Sequence, residues 1–113
     1  MSALPERGDL VWVDFKSQAG HEQAGHRPAL VISPGIYHER SKTAVVCPIT
    51  SNIQPWPWKV ILPEGLGVSG AVLVDQIRSI DRAGRNLRIA GQAPDAVMAE
   101  VQAKLATLFG IAA

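Results

Sequence analysis

The densest group of side chains capable of chemistry lies between His21 and Pro28. This stretch of the 113-residue chain reads HEQAGHRP, so two imidazoles, one carboxylate and one guanidinium fall within seven residues. An arginine fork matches paired phosphate oxygens, and imidazoles and carboxylates transfer protons. These residue types could cleave an RNA phosphodiester, in which the neighbouring 2′-hydroxyl attacks phosphorus. The same stretch also fits a solvated loop in which Arg27 pairs with a surface carboxylate.

In the cleavage hypothesis, Arg27 stabilises the crowded phosphoryl oxygens. Glu22 or a histidine accepts the proton, and Thr50, at the end of a predicted strand, donates a hydrogen bond to a phosphate oxygen. The nucleophile is already in the substrate, so the reaction needs no metal. The sequence contains no glycine-rich phosphate loop and no HxxxH or CxxC spacing. We therefore expect neither a cofactor nor a metal ion.

The composition excludes several classes of protein. Eleven lysines and arginines against ten acidic residues leave a formal net charge of +1, so any contact with nucleic acid must be local. Cys47 is the single cysteine and cannot form an internal disulfide, which favours a reducing compartment. No stretch approaches the roughly 18 apolar residues of a membrane helix. We expect one cytoplasmic domain over residues 1–113, with no membrane segment. Because so short a chain has a small core, pairing with a second copy would add to its stability.

The residues around the HEQAGHRP stretch predict short strands. Alternating β-formers predict a strand at Leu10–Phe15, where Asp14 interrupts an apolar face close to solvent or a site. Residues 16–26 lack periodicity and predict a loop, before a short strand at 29–33. Later strands are predicted at 42–50, 59–62, 70–80 with a kink at Asp75–Gln76, and 86–90. Pro48 predicts a bulge or a sheet edge in its strand.

The end of the chain changes to a helical period. Apolar residues recur at spacings of four, four and three between Val97 and Leu108, Pro94 suits the first turn, and Gly110 ends the pattern. Strands followed by one amphipathic helix predict an α+β, mostly β fold, a small, strongly bent antiparallel sheet or open barrel capped by the helix. Trp12 and Cys47 are expected in its core.

Five segments resemble, in order, the signature segments of the MazF/PemK toxin family. They are Gly8–Phe15 (GDLVWVDF), Glu22–Ala29 (EQAGHRPA), Val31–Pro34 (VISP), Val46–Ser51 (VCPITS) and Val74–Ser79 (VDQIRS). The likeness runs from about Gly8 to Gly110, and its most specific part is GHRPA after EQ.

The resemblance implies an SH3-like barrel with a C-terminal helix, working as a homodimer. It implies a sequence-specific, metal-independent endoribonuclease toxin that cuts single-stranded RNA, usually mRNA, and inhibits translation and growth. The implied products carry a 5′-hydroxyl and a 2′,3′-cyclic phosphate, or the 3′-phosphate derived from it. The implied partner is a MazE-like antitoxin, whose acidic, partly disordered tail folds onto the toxin and silences it.

The resemblance also assigns residues to the site. The family's catalytic arginine corresponds to Arg27, its threonine to Thr50 and the acidic residue of its first loop to Glu22. Because the pKa of a guanidinium lies above about 12, Arg27 is assigned mainly to charge stabilisation, with proton donation as a further role. Glu22 then acts as the base or orients Arg27. His26 is a candidate catalytic or orienting residue, and a structural role is the alternative.

The remaining candidates concern RNA binding. Lys16, Ser51, Asn52 and Lys59 are candidate phosphate or base contacts, although a lone lysine is often only solvated. Trp56 lies in a QPWPW stretch with two tryptophans where many relatives have one aromatic residue, and it either stacks on a base or packs in a core or interface. Asp75 and Gln76 match the family's Asp-Gln pair and read base edges or hold the kinked backbone.

Three alternatives remain open at this point. Arginines 78, 82, 85 and 88 form either a polar face or a rail for RNA or an acidic antitoxin tail. The same barrel is also used by a non-catalytic poison of DNA gyrase, which would not need Glu22, Arg27 and Thr50. A plain SH3-like interaction module would leave RNA intact.

Overall fold

The computed structural model describes residues 4–15 and 25–112, which form seven strands and two α-helices. In chain order they are β1 (Asp9–Phe15), β2 (Gly25–Val31), α1 (Gly35–His38), β3 (Thr43–Thr50), β4 (Lys59–Ile61), β5 (Ala71–Leu73), β6 (Arg78–Asp81), β7 (Arg88–Gln92) and α2 (Asp95–Phe109). A 3-10 turn, Val74–Gln76, separates β5 from β6 at the predicted kink. Neither helix in these ranges has the length and apolar character needed to cross a bilayer.

The strands form one antiparallel sheet in the order β4-β5-β3-β2-β1-β7, and β6 also pairs with β3. Over the described residues, the end strands β4 and β7 do not pair with each other, so the sheet stays open. The predicted mostly-β fold with an open antiparallel sheet and a C-terminal helix is confirmed.

Side chains of β1 and β2 alternate between two apolar clusters, because successive strand residues point to opposite faces. Leu10 and Leu30 enter one cluster, whereas Val11 and Ala29 enter the other. Helix α2 covers the first cluster with Val97, Val101 and Leu105, which are buried at the predicted helical spacing. The amphipathic helix therefore closes one side of the core.

The two core predictions had different outcomes. Cys47 is fully buried in the first cluster, as predicted. Trp12 packs against the same cluster but is only half-buried, because one side of it faces a surface cleft. The prediction that Trp12 is a core residue was therefore only partly right.

Strand β2 begins earlier than predicted. Gly25 and His26 belong to the strand and not to the loop, because they pair with Phe15 and Asp14 of β1. The rest of the predicted loop, residues 16–24, lies outside the described residues. Two candidates, Lys16 and Glu22, lie in that part.

The region after β2 also differs from the prediction. Pro48 is not at an edge, since β3 lies inside the sheet and Pro48 pairs with Ala29. On its other side, β3 pairs with β6 up to Val46 and with β5 from Ile49 onwards. Pro48 thus occupies the gap between two partner strands, where a missing N–H is tolerated. Helix α1, directly after Pro34, was not predicted.

Candidate active site

A cleft with a volume of about 470 Å³ opens beside β1, β2 and β3. The side chains capable of chemistry that line it are His26, Arg27, Thr50, Ser51 and Ser69. Trp12 and Ile49 form apolar parts of the wall, and the segment Gly67–Ser69 closes the far side. The cleft therefore combines a cation, an imidazole and hydroxyl groups.

Strand pairing explains why Arg27 and Thr50 share this cleft. Strands β2 and β3 pair as far as Ala29 and Pro48, and Arg27 and Thr50 each lie two residues beyond that last pair. An equal offset from an antiparallel pair places both side chains on the same side of the strands. Arg27 is exposed and is thus accessible to a ligand.

Thr50 ends β3 and takes part in a local turn. Its Oγ1 accepts a hydrogen bond from the backbone N–H of Asn52 at 3.1 Å. A threonine hydroxyl also carries one hydrogen that it can donate. The turn thus fixes the hydroxyl oxygen and leaves its hydrogen available for an acceptor such as a phosphate oxygen.

His26 is in contact with one side chain from β1 and one from β7. It lies opposite Asp14 in the β1–β2 ladder, and its Nδ1 is 2.6 Å from Asp14 Oδ1. Arg88 Nη2, from β7, is 2.9 Å from the same ring nitrogen. A guanidinium can only donate, and one ring nitrogen carries either a proton or a lone pair. Only one of the two contacts is therefore a hydrogen bond at any time.

The loop between β3 and β4 is braced by two lysines. Lys59 Nζ donates to the backbone oxygens of Asn52 at 2.7 Å and Gln54 at 3.0 Å. Lys104 Nζ, from α2, donates to the Pro57 oxygen at 2.6 Å. The ammonium group of Lys59 is thus engaged with the loop that carries Asn52.

A second surface lies next to this loop. Trp56 and Lys59 line a separate shallow depression of about 480 Å³ together with Ile53 and Ile61. The Trp56 indole Nε1 donates to Asp75 Oδ2 at 3.3 Å, while Trp56 remains half exposed. These side chains do not line the cleft that contains Arg27.

Two of the four arginines for which a polar face or a rail was considered are hydrogen-bonded to the main chain. Arg82 Nη2 donates to the backbone oxygens of His38 at 3.0 Å and Ser41 at 2.6 Å. Arg85 Nη1 donates to the Asp14 backbone oxygen at 3.5 Å. These two arginines therefore brace main chain, which supports the polar-face interpretation for them.

Within the described part of the chain, two side chains have clearly shifted pKa values, and both lie outside the cleft. Burial, with a smaller contribution from the charge of Asp75, raises the pKa of the Cys47 thiol to about 12. Hydrogen bonds from Ser41 and Thr43 lower the pKa of the Tyr37 hydroxyl. Cys47 is therefore a poor nucleophile, because only the thiolate attacks. No group of three or more metal-binding side chains occurs within residues 4–15 and 25–112.

The structure thus divides the sequence-predicted candidates. Arg27, Thr50, His26 and Ser51 meet at the cleft, and Asn52 joins them through its hydrogen bond to Thr50. Trp56, Lys59 and Asp75 lie on the second surface, and Gln76 follows Asp75 in the 3-10 turn.

Sequence reasoning did not connect two side chains, Asp14 and Arg88, with His26. Asp14 had a signal, since it interrupts an apolar strand face. Arg88 had none, because it is 62 residues away from His26 in the sequence.

Comparisons with known proteins agree with this architecture. Residues 6–109 match the family model for the PemK-like, MazF-like toxin of type II toxin–antitoxin systems. The chain is 36% identical to the endoribonuclease toxin MazF of Escherichia coli K12, over 95% of this chain and 96% of the relative. It is 37% identical to the endoribonuclease EndoA of Bacillus subtilis, over 70% and 72% of the two chains.

A solved structure extends the likeness to the fold. A MazE–MazF crystal structure from Deinococcus radiodurans superposes with a TM-score of 0.91 at 46% identity, covering 98% of this chain and 100% of the other. The chain therefore belongs to the PemK-like, MazF-like toxin family of type II toxin–antitoxin systems.

Proposed function

We propose that this protein is an endoribonuclease toxin that cleaves single-stranded RNA, chiefly mRNA, at specific sequences without a metal ion. The observation that carries the proposal is the cleft in which Arg27 and Thr50 lie on adjacent strands beside His26. Family membership and the names of the relatives, which include an endoribonuclease toxin, support the same activity.

The proposed reaction is an attack by the 2′-hydroxyl on the adjacent phosphorus. Arg27 holds two phosphoryl oxygens with its planar fork and stabilises the charge that accumulates on them. Thr50 donates its hydroxyl hydrogen to a phosphoryl oxygen. Glu22, which lies outside the described residues, accepts a proton or orients Arg27. The products carry a 5′-hydroxyl and a 2′,3′-cyclic phosphate, or the derived 3′-phosphate.

RNA recognition is proposed for the residues around the cleft and on the second surface. Ser51 lines the cleft, Asn52 adjoins it, and the exposed face of Trp56 offers a stacking platform. Asp75 and Gln76 are exposed and carry groups suited to base edges. Lys59 acts by shaping the loop, and Lys16 remains a candidate phosphate contact outside the described residues.

The proposed partners are a second copy of the chain and a MazE-like antitoxin with an acidic, partly disordered tail. The MazE–MazF structure supports an antitoxin partner. Exposed apolar side chains offer contact area for association, among them Ile36 at 70% and Ile111 at 62% exposure. Coexpression with the protein encoded beside this one should relieve toxicity. The proposal of an antitoxin partner fails if that protein neither binds this chain nor restores growth.

The test of the activity is incubation of the purified protein with a long RNA in EDTA. We expect cleavage at a few repeated sequences, because the nucleophile is supplied by the substrate. Arg27→Ala should lower the rate by about a hundredfold or more, the range for one stabilising donor. Arg40→Ala is the matched control, since Arg40 is also exposed but lies outside the cleft.

Each outcome decides between the functions considered. Cleavage in EDTA that is lost in Arg27→Ala and kept in Arg40→Ala supports the ribonuclease. Intact RNA across varied sequences contradicts it, and binding to DNA gyrase is then the next assay. Equal losses in both arginine variants would attribute the effect to overall charge.

A further inference from the structure

We infer that Asp14 is a positioning residue that holds His26 with Nδ1 protonated, so that Nε2 accepts the proton of the attacking 2′-hydroxyl. The inference rests on the proposed function and deepens it by naming the proton acceptor. His26 lines the cleft, whereas Asp14 is not among its lining residues. Asp14 would therefore act through His26 and not on the substrate.

The short contact between Asp14 and His26 defines where the proton lies. Two lone pairs would repel each other at 2.6 Å, so a hydrogen must lie between Oδ1 and Nδ1. Imidazole ordinarily binds a proton more tightly than a carboxylate does, which places that hydrogen on Nδ1. A ring protonated at Nδ1 and neutral overall has its lone pair on Nε2, the nitrogen of a proton acceptor.

The main chain fixes Asp14 from both sides. On one side it pairs with His26 in the β1–β2 ladder. On the other side its backbone N–H donates to the backbone oxygen of Arg85 at 2.7 Å. Arg85 Nη1 in turn donates to the backbone oxygen of Asp14 at 3.5 Å. Strand pairing, and not the strength of the ion pair, therefore brings the carboxylate to Nδ1.

The His26–Asp14 pair is exposed, so its contact can orient the His26 ring while contributing little to the stability of the fold. The side chains of His26 and Asp14 are 59% and 38% exposed, so water and salt screen their attraction. Loss of the Asp14 carboxylate should therefore leave folding nearly unchanged. Its effect should instead be on the protonated nitrogen and the ring orientation of His26.

Arg88 supplies the competing arrangement. If Arg88 Nη2 donated to Nδ1, the ring proton would move to Nε2 and the acceptor would be lost. The Asp14 contact, at 2.6 Å, is shorter than the Arg88 contact, at 2.9 Å, so we assign the hydrogen bond to Asp14.

The proton balance of the proposed step is complete. The 2′-oxygen forms a bond to phosphorus while its proton passes to Nε2, and the bond from phosphorus to the 5′-oxygen breaks. The leaving 5′-oxygen takes a proton from water, and the imidazolium later returns its proton to the hydroxide that this produces. His26 is thereby restored for the next turnover.

The first arm of the test reads the ring nitrogens of His26 by ¹⁵N NMR at a pH where the ring is neutral. Wild-type protein should have the proton on Nδ1, and Asp14→Ala should move His26 towards the Nε2-protonated form. Glu39→Ala is the matched control, because Glu39 is an exposed carboxylate outside the cleft. A proton on Nε2 in the wild type would overturn the inference in favour of Arg88.

The second arm is a double-mutant cycle on RNA cleavage. Asp14→Ala should lower kcat by about tenfold to a hundredfold with little change in KM, the range known for partners that orient metal-binding histidines. Adding Asp14→Ala to His26→Ala should cause no further loss. Multiplying losses would overturn the inference, since Asp14 would then act independently of His26.

The two arms separate this inference from the proposed function. If wild-type protein leaves RNA intact, the ribonuclease proposal fails and the acceptor role fails with it. The NMR arm would still decide whether Asp14 positions His26. If wild-type protein cleaves RNA and His26→Ala cleaves equally well, only the present inference fails.

Discussion

Gly70 lies so close to the Thr50 carbonyl oxygen that a β-carbon at position 70 would overlap that oxygen. Gly70 also has a φ of +124°, a conformation that residues with side chains rarely adopt. The contact occurs where the chain enters β5, whose first residue, Ala71, pairs with Thr50. Strand β5 can therefore approach Thr50, on the side of β3 that faces away from β2, only because residue 70 is a glycine.

We predict that Gly70→Ala lowers both stability and RNA cleavage. Backbone strain and overpacking together should reduce the free energy of unfolding by about 2 to 4 kcal/mol and displace Thr50. Gly65→Ala is the control, because Gly65 also has a positive φ, +87°, but a β-carbon added there would have no atom within 4 Å. Its loss should be about 1 to 2 kcal/mol, with cleavage retained. Equal effects in urea unfolding and cleavage would contradict this account.

His38, the last residue of α1, links the segment before β1 to Ser33, which follows β2 and Ile32, and its replacement should lower stability. Its Nδ1–H donates to the Pro5 oxygen at 2.6 Å, which leaves Nε2 to accept from the Ser33 hydroxyl at 2.7 Å. His38→Ala removes both bonds from a side chain that is 2% exposed, so the free energy of unfolding should fall by about 2 to 4 kcal/mol.

The control for His38 is its exposed neighbour. Glu39→Ala should change the free energy of unfolding by less than about 0.5 kcal/mol, the usual range for surface substitutions. Similar urea midpoints for the two variants would rule out the buried hydrogen-bond network as a source of stability.

The Cys47 thiol should resist alkylation in the folded protein. Because its pKa is raised from 9.0 to about 12, iodoacetamide at pH 8 should react only as fast as the protein opens. Rapid modification of the native protein would be inconsistent with a buried, protonated thiol.

The same shift predicts a dependence of stability on pH. In the unfolded chain the thiol ionises near its ordinary pKa of 9.0, whereas in the folded chain it stays protonated to about 12. The stability that Cys47 contributes is therefore complete below about pH 9 and is lost as pH rises towards 12. The free energy of unfolding of Cys47→Ala should therefore decrease less than that of the wild type over this pH range. Equal dependence on pH in the two proteins would argue against the raised pKa of Cys47.

Much of the fold could be predicted because its signals are local. The periodicity from Val97 to Leu108 and the stop at Gly110 correspond to α2, which ends at Phe109 and is capped by Gly110 at a φ of +71°. The interruption at Asp75–Gln76 corresponds to the 3-10 turn. Each of these features depends on residues that are neighbours in the sequence.

The errors arise where distant strands decide the outcome. The start of β2 depends on its pairing with β1, and the position of Pro48 depends on the change of partner between β6 and β5. The same reason limits prediction of the site. Arg27 and Thr50 could be named from a resemblance, but the contact of Arg88 with His26 requires the order β7-β1-β2.

Trp56 should contribute to RNA binding by stacking. Its indole N–H is held by Asp75 while half of its surface is exposed. Trp56→Ala should weaken RNA binding by about 1 to 3 kcal/mol, and Trp56→Phe should keep most of the affinity because a ring remains. Ile53→Ala, an exposed apolar neighbour, is the control. Unchanged RNA affinity together with a weakened dimer would support the packing interpretation instead.

The most direct test of the central claim is cleavage of an RNA that carries a single 2′-deoxynucleotide at the mapped cut site. We predict that the protein binds this RNA but leaves it intact, because the attacking hydroxyl is missing. The unmodified RNA should yield fragments with a 5′-hydroxyl, which polynucleotide kinase labels without prior phosphatase treatment. Cleavage of the deoxy-substituted RNA at the same bond, or fragments with a 5′-phosphate, would contradict attack by the 2′-hydroxyl.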